Sequence, residues 1–599
     1  MIYLQLIFCT ILLIKKEISR KLSYLEFFFK NINLFKFILF KFNEDINPFY
    51  SNSFKKYLKR NEKKLKKINF KDQKIKKKKI LVEGFINQPA YTVSNGIISY
   101  YLNKIYNVKS TAIIRKGDLK SIFIFRSFGI KNFIYFKNKN IFENIIYLIK
   151  AIKFLKNQKN IDSIIKLKYK NIYVGLTAYD SYIRFIGDPT LDKINSEFII
   201  FLSDALYSSD FFEKILKRHK FTSLVQSEAS FIPLSCLFQM ALKNKLKVFS
   251  RFGKERFTIR KYDNIDQCFS FRGRISQKLF NLVEKKFKNK SLKIANQIQK
   301  QKLKLGSFGM DITMYKIKKN RSGKKEIQII GSKKQNNNKK ILVDKDYIKK
   351  LFNWDNKKIA VFFLSYLIDA NFPYGYRINS KDNYQWTKFM LDKIKNINNV
   401  NWIIKDHPIT KMYGQAPKKN FDNRVNFLTN KFNHIKKWPK EFSNMSLLKI
   451  TDVAITSLGT AGIEYPAYGI QSVSTDKSSY SHLNFTKMIN SKKQIIDQIN
   501  NLNKIKKPSL EQINKSKQYL FIRENLLGQK TTLLPNYITS RIIIEDDFWK
   551  KCIKNISKYD LNKDPLFEMF NKQLKYNSRH TLNYKILNFK NTIFNDLND

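Results

Sequence analysis

The sequence predicts an α/β protein built on parallel sheets, and three observations predict it. Ile80-Leu81-Val82-Glu83-Gly84 reads as a buried strand, Thr92 to Tyr106 as a helix and Ser110 to Arg115 as a second strand, which is a βαβ start. The same alternation returns at Lys358 to Leu364, Asn383 to Asn396 and Trp402-Ile403-Ile404-Lys405. At 599 residues, with 43% hydrophobic and 15% aromatic content, the chain is long enough for two or three packed domains.

Taken in order, residues 1–78 form a basic, aromatic N-terminal extension. Met1 to Ile14 is apolar, but no basic segment precedes it as in a signal peptide. It is also shorter than the ~20 residues of a spanning helix, so export is not expected. Phe27 to Phe42, interrupted by Lys30, Lys36 and Lys41, suits a helix in the membrane interface with snorkelling lysines, or equally a helix pair packed on the first domain. Lys56 to Lys79 reads as an exposed linker able to face anionic lipid.

Residues 79–290 read as the first Rossmann-like domain. Asn171 to Leu176 reads as a strand opening into Asp180, Phe221 to Gln226 as one ending at Ser227-Glu228, and Lys247 to Ser250 as another. No G-x-G-x-x-G follows the first strand, which disfavours a dinucleotide cofactor. Asp180 and Glu228, at expected strand ends, are candidates for a base that activates an acceptor hydroxyl; a helix cap or a surface carboxylate is the alternative for each.

Residues 291–350 read as a basic connection with a helix from Ser291 to Lys302 and no lasting apolar period. One Asp-x-Asp triplet, Asp344-Lys345-Asp346, falls here and reads as a solvated turn, so no metal ligands are assigned. Residues 351–530 read as the second Rossmann-like domain and 531–599 as a mixed, basic tail.

The formal net charge of +67 points to nucleic acid or an anionic membrane surface. Lysine, asparagine, isoleucine and phenylalanine are all abundant, as an AT-rich coding sequence would give, and no nucleic-acid module is visible, so nucleic acid is not expected. The four cysteines, Cys9, Cys236, Cys268 and Cys552, form no paired motif, which suits a reducing cytoplasm and argues against a disulfide framework or zinc.

Chemistry concentrates between Asn401 and Asn484. Lys405-Asp406-His407-Pro408 ends one apolar run, and Ser457-Leu458-Gly459-Thr460-Ala461-Gly462-Ile463-Glu464 ends another. A small-residue turn entering a helix offers N–H groups and a positive dipole end to a phosphate. Ser457, Gly459, Thr460 and Ala461 are the candidate donors, and Glu464, one turn beyond Thr460, a candidate acceptor from sugar hydroxyls. His407, beside Lys405, can hydrogen-bond a phosphate or transfer a proton.

These two motifs, with Gly469, Asp369-Ala370, Trp386 and, more faintly, Ala178 to Arg184, resemble the capsule polysaccharide biosynthesis proteins, which include the Kdo transferases of capsule assembly. The resemblance covers roughly residues 80 to 490. It implies a GT-B architecture, two Rossmann-like domains facing across a cleft, with an activated sugar held mainly by the C-terminal one. The expectation is a cytoplasmic glycosyltransferase, peripheral on the inner membrane face. It would be metal-independent and without a cofactor, moving a sugar from a nucleotide-activated donor, CMP-linked among the options, to a glycan or glycolipid. His407 would then act on the leaving phosphate. A polyol-phosphate transferase, a non-catalytic assembly or export protein and a nucleotide-sugar epimerase are the rivals.

Overall fold

A computed structural model describes residues 51–586 apart from 67–78, 87, 253–256, 272, 305–314, 320–324, 330–340, 376, 378, 408–416 and 536–544. The apolar segments Met1 to Ile14 and Phe27 to Phe42, and Pro408, therefore lie outside the described residues.

Two six-stranded sheets carry the fold. The first is formed by β1 (Lys79–Gly84), β2 (Lys109–Arg115), β3 (Asn132–Phe136), β4 (Ser223–Val225), β5 (Lys247–Phe252) and β6 (Thr258–Tyr262). Its order is β3-β2-β1-β4-β5-β6, parallel except for the antiparallel edge strand β6. A hairpin of β7 (Tyr315–Lys319) and β8 (Lys325–Ile329) follows, in a stretch that the sequence reads as unpatterned connection.

The second sheet contains β9 (Ile359–Phe363), β10 (Asn401–Lys405), β11 (Ile435–Lys437), β12 (Val453–Thr456), β13 (Gln471–Ser474) and β14 (Lys487–Met488). Its order, β11-β10-β9-β12-β13-β14, repeats that of the first, and every pairing in it is parallel. Both are the doubly wound order with one reversal at the central strand, so the chain has the GT-B-like arrangement of two Rossmann-like sheets. The strands read as short apolar runs because helices cover both faces; β12, Val-Ala-Ile-Thr, is buried throughout.

Helices form where caps and apolar spacing agree. Asp382 caps the Asn383–Ile394 helix by accepting from the Gln385 N–H at 2.7 Å, and Trp386, Met390, Leu391 and Ile394 fall on its buried face. Asp344, of the Asp-x-Asp triplet, caps the Lys345–Phe352 helix through the Tyr347 N–H at 2.9 Å, while Lys345 pairs with Asp452 at 2.6 Å. That triplet is a helix start rather than a solvated turn.

The first and last described α-helices pack on the first sheet's side of the protein. The Asn52–Lys66 helix buries Phe54, Tyr57 and Leu65, with the Phe54 and Tyr57 rings 4.7 and 4.9 Å from that of Trp549 on the Glu545–Ser557 helix. Residues 56–66 are therefore a packed amphipathic helix, not the exposed linker their lysines suggested: those lysines occupy its outer face. Leu533, Leu534, Trp549 and Phe570 share one core with Val82, Ile114 and Phe249.

Candidate active site

In doubly wound sheets ligands bind beyond the strand carboxyl ends where the strand order reverses. Here that is the crevice between β9 and β12 in the second sheet, and between β1 and β4 in the first.

The second-sheet crevice holds the small-residue turn. Thr456 Oγ1 accepts from the Gly459 N–H at 3.1 Å, and the Tyr480 hydroxyl donates to Gly459 O at 2.6 Å, so both sides of the turn are fixed. Gly462 is obligatory, because a Cβ there would run into the Tyr480 hydroxyl. The helix that follows, Ala461–Ala467, begins at Thr460 without a side-chain cap. Its first turn therefore points N–H groups outward from Thr460 and Ala461.

Ser457, expected as a phosphate donor, is fully buried and receives the Arg377 guanidinium on its hydroxyl. Arg377 also pairs with Asp476 through Nε at 2.7 Å, and the two side chains are almost wholly enclosed. Glu464, expected to meet a ribose, is 5% exposed, with a carboxylate oxygen 3.9 Å from Lys302 Nζ. Lys302 lies on the Lys288–Lys304 helix and also reaches Glu524 at 3.6 Å. Glu464 thus braces the turn helix from behind, because the residue one turn beyond Thr460 faces the neighbouring helix and not the crevice.

His407 stands where expected, just past β10 and half-buried, its ring 6.3 Å from that of buried Tyr366 in the loop after β9. Lys405 turns back to donate to the Asp406 carbonyl at 3.0 Å.

The first-sheet crevice is acidic. Glu228 follows β4 and accepts from the Ala229 and Ser230 N–H groups at 2.8 and 3.0 Å. Glu83, near the end of β1, is fully buried; Asn95 donates to its carboxylate at 3.1 Å, and Asn95 accepts from Ser227 at 2.6 Å. Burial pushes the Glu83 carboxyl up to about 7 against the donors that hold it down, with the Glu228 charge adding to the rise.

Arg184, on the first domain's 174–186 helix, reaches Tyr366 in the loop after β9, close in sequence to Asp369. The Arg184 guanidinium is 5.7 Å from the centre of the Tyr366 ring and 6.0 Å from that of Phe231. The Asp369 side chain is open to solvent, yet the protein around it desolvates its carboxyl and raises it. Arg184 opposes that rise and Glu228 adds to it, so these charges are within electrostatic reach of one another.

Asp180 corrects an expectation. Residues 174–186 are a helix, not the end of a strand, and Asp180 is completely buried within it. Its carboxylate crosses to the second domain's loop, accepting from the Asn371 N–H at 2.8 Å, the Phe372 N–H at 2.7 Å and the Asn371 amide at 3.0 Å. Tyr179 beside it donates to Asp382, the cap of the Asn383–Ile394 helix. No acceptor hydroxyl reaches a carboxylate so enclosed.

A cavity of about 970 Å³ lies beside these crevices. It runs between Asn160, Asp162 and Lys166 of the first domain and Asn371, Arg377 and Lys381 of the second. Through Arg377, which donates to Asn371 and to Ser457, its wall connects with the turn.

Sequence reasoning missed Glu83 and Arg377. Glu83 had a signal, an acid inside an otherwise apolar strand, which is costly to bury without purpose. Arg377 had none, since it lies in an irregular loop.

No family model matches the chain, and neither does any curated protein. Among solved structures it is similar to the Thermosulfurimonas dismutans KpsC, a beta Kdo 2,4 transferase. Identity there is 12% over 50% of this chain and 79% of that one, with a TM-score of 0.30. A glycosyltransferase from Rickettsia africae ESF-5 is 12% identical over 81% of this chain and 99% of that one, with a TM-score of 0.25. MurG of Acinetobacter baumannii is 8% identical over 80% and 100%, with a TM-score of 0.24. Likeness at this level leaves activity to be argued from the site itself.

Proposed function

We propose that the chain is a glycosyltransferase of surface or capsular polysaccharide biosynthesis. It would transfer a sugar from a nucleotide-activated donor to a glycan or glycolipid acceptor, without a metal. The observation that carries this reading is the opposition of unlike chemistry at the two crevices: N–H donors and a histidine at one, a pair of carboxylates at the other.

In this reading the donor phosphate sits on the Thr460 and Ala461 N–H groups, on a turn that Arg377 and Tyr480 hold rigid. His407 gives a hydrogen bond or proton to the departing phosphate. Glu228 takes the proton of the acceptor hydroxyl, and Glu83 behind it tunes its basicity. A single-phosphate donor such as a CMP-sugar suits a site that neutralises charge with backbone N–H groups and one histidine. Asp180 and Glu464 position the site and touch no substrate.

Donors carrying separate labels on sugar and phosphorus test the reading. With a membrane lipid extract as acceptor, the sugar label should move to the extract and phosphorus stay with the nucleotide. Movement of phosphorus would instead identify a polyol-phosphate transferase. Binding without any turnover would identify a non-catalytic protein.

A further inference from the structure

From the first domain's outer helix we infer a docking surface for an anionic lipid bilayer, formed by the Ile141–Lys156 helix and the end of β3. The inference goes beyond the transferase reading and does not depend on it. The inner face of this helix is ordinary: Leu148, Ala151, Ile152 and Leu155 are buried in the first core. Its outer face is not. Phe142 is 74% exposed, Ile146 60%, Ile141 56% and Ile149 38%, and Tyr135 of the edge strand that precedes the helix is 43% exposed.

Phe142, Ile146 and Ile149 are spaced i, i+4 and i+7, so they form one line along the helix, where a solvated helix carries charge. Contiguous exposed apolar residues of this size mark an interaction site.

Charge selects the occupant. Three acids near the helix are already engaged, while Asp162 of the next short helix is exposed. Glu143 closes the capping box with Asn140, Asp204 pairs with Lys139 at 2.7 Å, and Asp210 pairs with Lys150 at 3.1 Å and Lys170 at 2.6 Å. Lys137, just before the helix, and Lys153 and Lys156 at its other end remain exposed. An apolar line with lysines at both ends is the pattern of a helix lying in an anionic membrane interface, its apolar side in the acyl boundary and its lysines at the headgroups. A second copy fits poorly, because an isologous contact sets the same lysine rim against itself. The helix ends at Lys156, and a separate short helix, Ile161–Ile165, follows it; Asn160, Asp162 and Lys166 line the interdomain cavity, so the docking helix lies close in sequence to that cavity's wall.

The test uses the full chain with Cys9→Ser and Ile146→Cys, labelled with a polarity-sensitive dye; Cys236, Cys268 and Cys552 are buried and do not compete. Vesicles of phosphatidylglycerol and phosphatidylethanolamine should shift the dye to the blue and expose it to a lipid-borne quencher, whereas phosphatidylcholine vesicles should not. Phe142→Asp, at a position too exposed to disturb folding, should weaken binding about tenfold or more, and Lys153→Glu with Lys156→Glu should remove the preference for anionic lipid. A dye that stays in water while the protein sediments with vesicles overturns the inference. So does a blue shift that appears with protein concentration in the absence of lipid, which would identify a second copy on this face.

Discussion

Replacing Asp180 separates a structural pin from a catalytic base. Its carboxylate takes two backbone N–H groups and one amide from the second domain, all buried. Leaving buried donors without a partner costs about 1 to 3 kcal/mol each, so Asp180→Ala, which strands three, should lose about 3 kcal/mol or more of stability. Asp180→Asn keeps one oxygen for the two backbone donors and should lose about 1 to 2 kcal/mol. Burial raises this carboxyl to about 7 although the Asn371 and Phe372 groups pull it down. The folded state therefore holds a proton that the unfolded chain has already released. Its contribution to stability is complete below the ordinary carboxylate range and is lost as pH rises through about 7. Asp180→Asn should flatten that slope. Urea denaturation at several pH values, followed by tryptophan fluorescence, reads both effects, and turnover should persist wherever the variant is folded. A variant as stable as the parent, with normal donor affinity and no transfer, would restore Asp180 as the base and refute the pin.

Other predictions follow from the same geometry. Gly462→Ala should displace Tyr480 from Gly459 O, lowering stability by about 1 to 3 kcal/mol and nucleotide affinity with it, as thermal shift with and without nucleotide would record. Glu83→Gln should remove a second fall in stability between the ordinary carboxylate range and about 7, for the same reason of sign, and should shift the pH profile of turnover through Glu228. His407→Ala should cut turnover by ~100-fold or more with a smaller change in donor binding, read from steady-state kinetics. Trp549→Ala should cost about 3 to 5 kcal/mol, since that ring locks the returning helix to the first domain.

Much of the fold was legible because parallel strands buried on both faces write themselves as short apolar runs. β1, β2, β9, β10 and β12 fall where those runs stand. β6 escaped notice because this edge strand carries Arg260-Lys261, whereas β3, Asn-Phe-Ile-Tyr-Phe, is an apolar run that was passed over. Asn171 to Leu176 resembled a strand because its apolar content is short; the structure turns it into the start of a helix at Val174. At the site, the positions of His407, Glu228 and the Gly459 turn were legible from strand ends. Which way each side chain faces was not. Asp180, Ser457 and Glu464 all turn toward partners more than 75 residues away in sequence, and no local pattern encodes such contacts.

The central claim is that a nucleotide phosphate rests on the turn at Thr460, and calorimetric titration with CMP, UDP, GDP and their sugars tests it most directly. At least one should bind to the parent chain, and Thr460→Glu, which puts a negative charge at the helix start, should abolish that binding, while Glu228→Gln leaves it unchanged. Binding that survives Thr460→Glu in a folded protein, or that is lost in Glu228→Gln instead, would contradict the account.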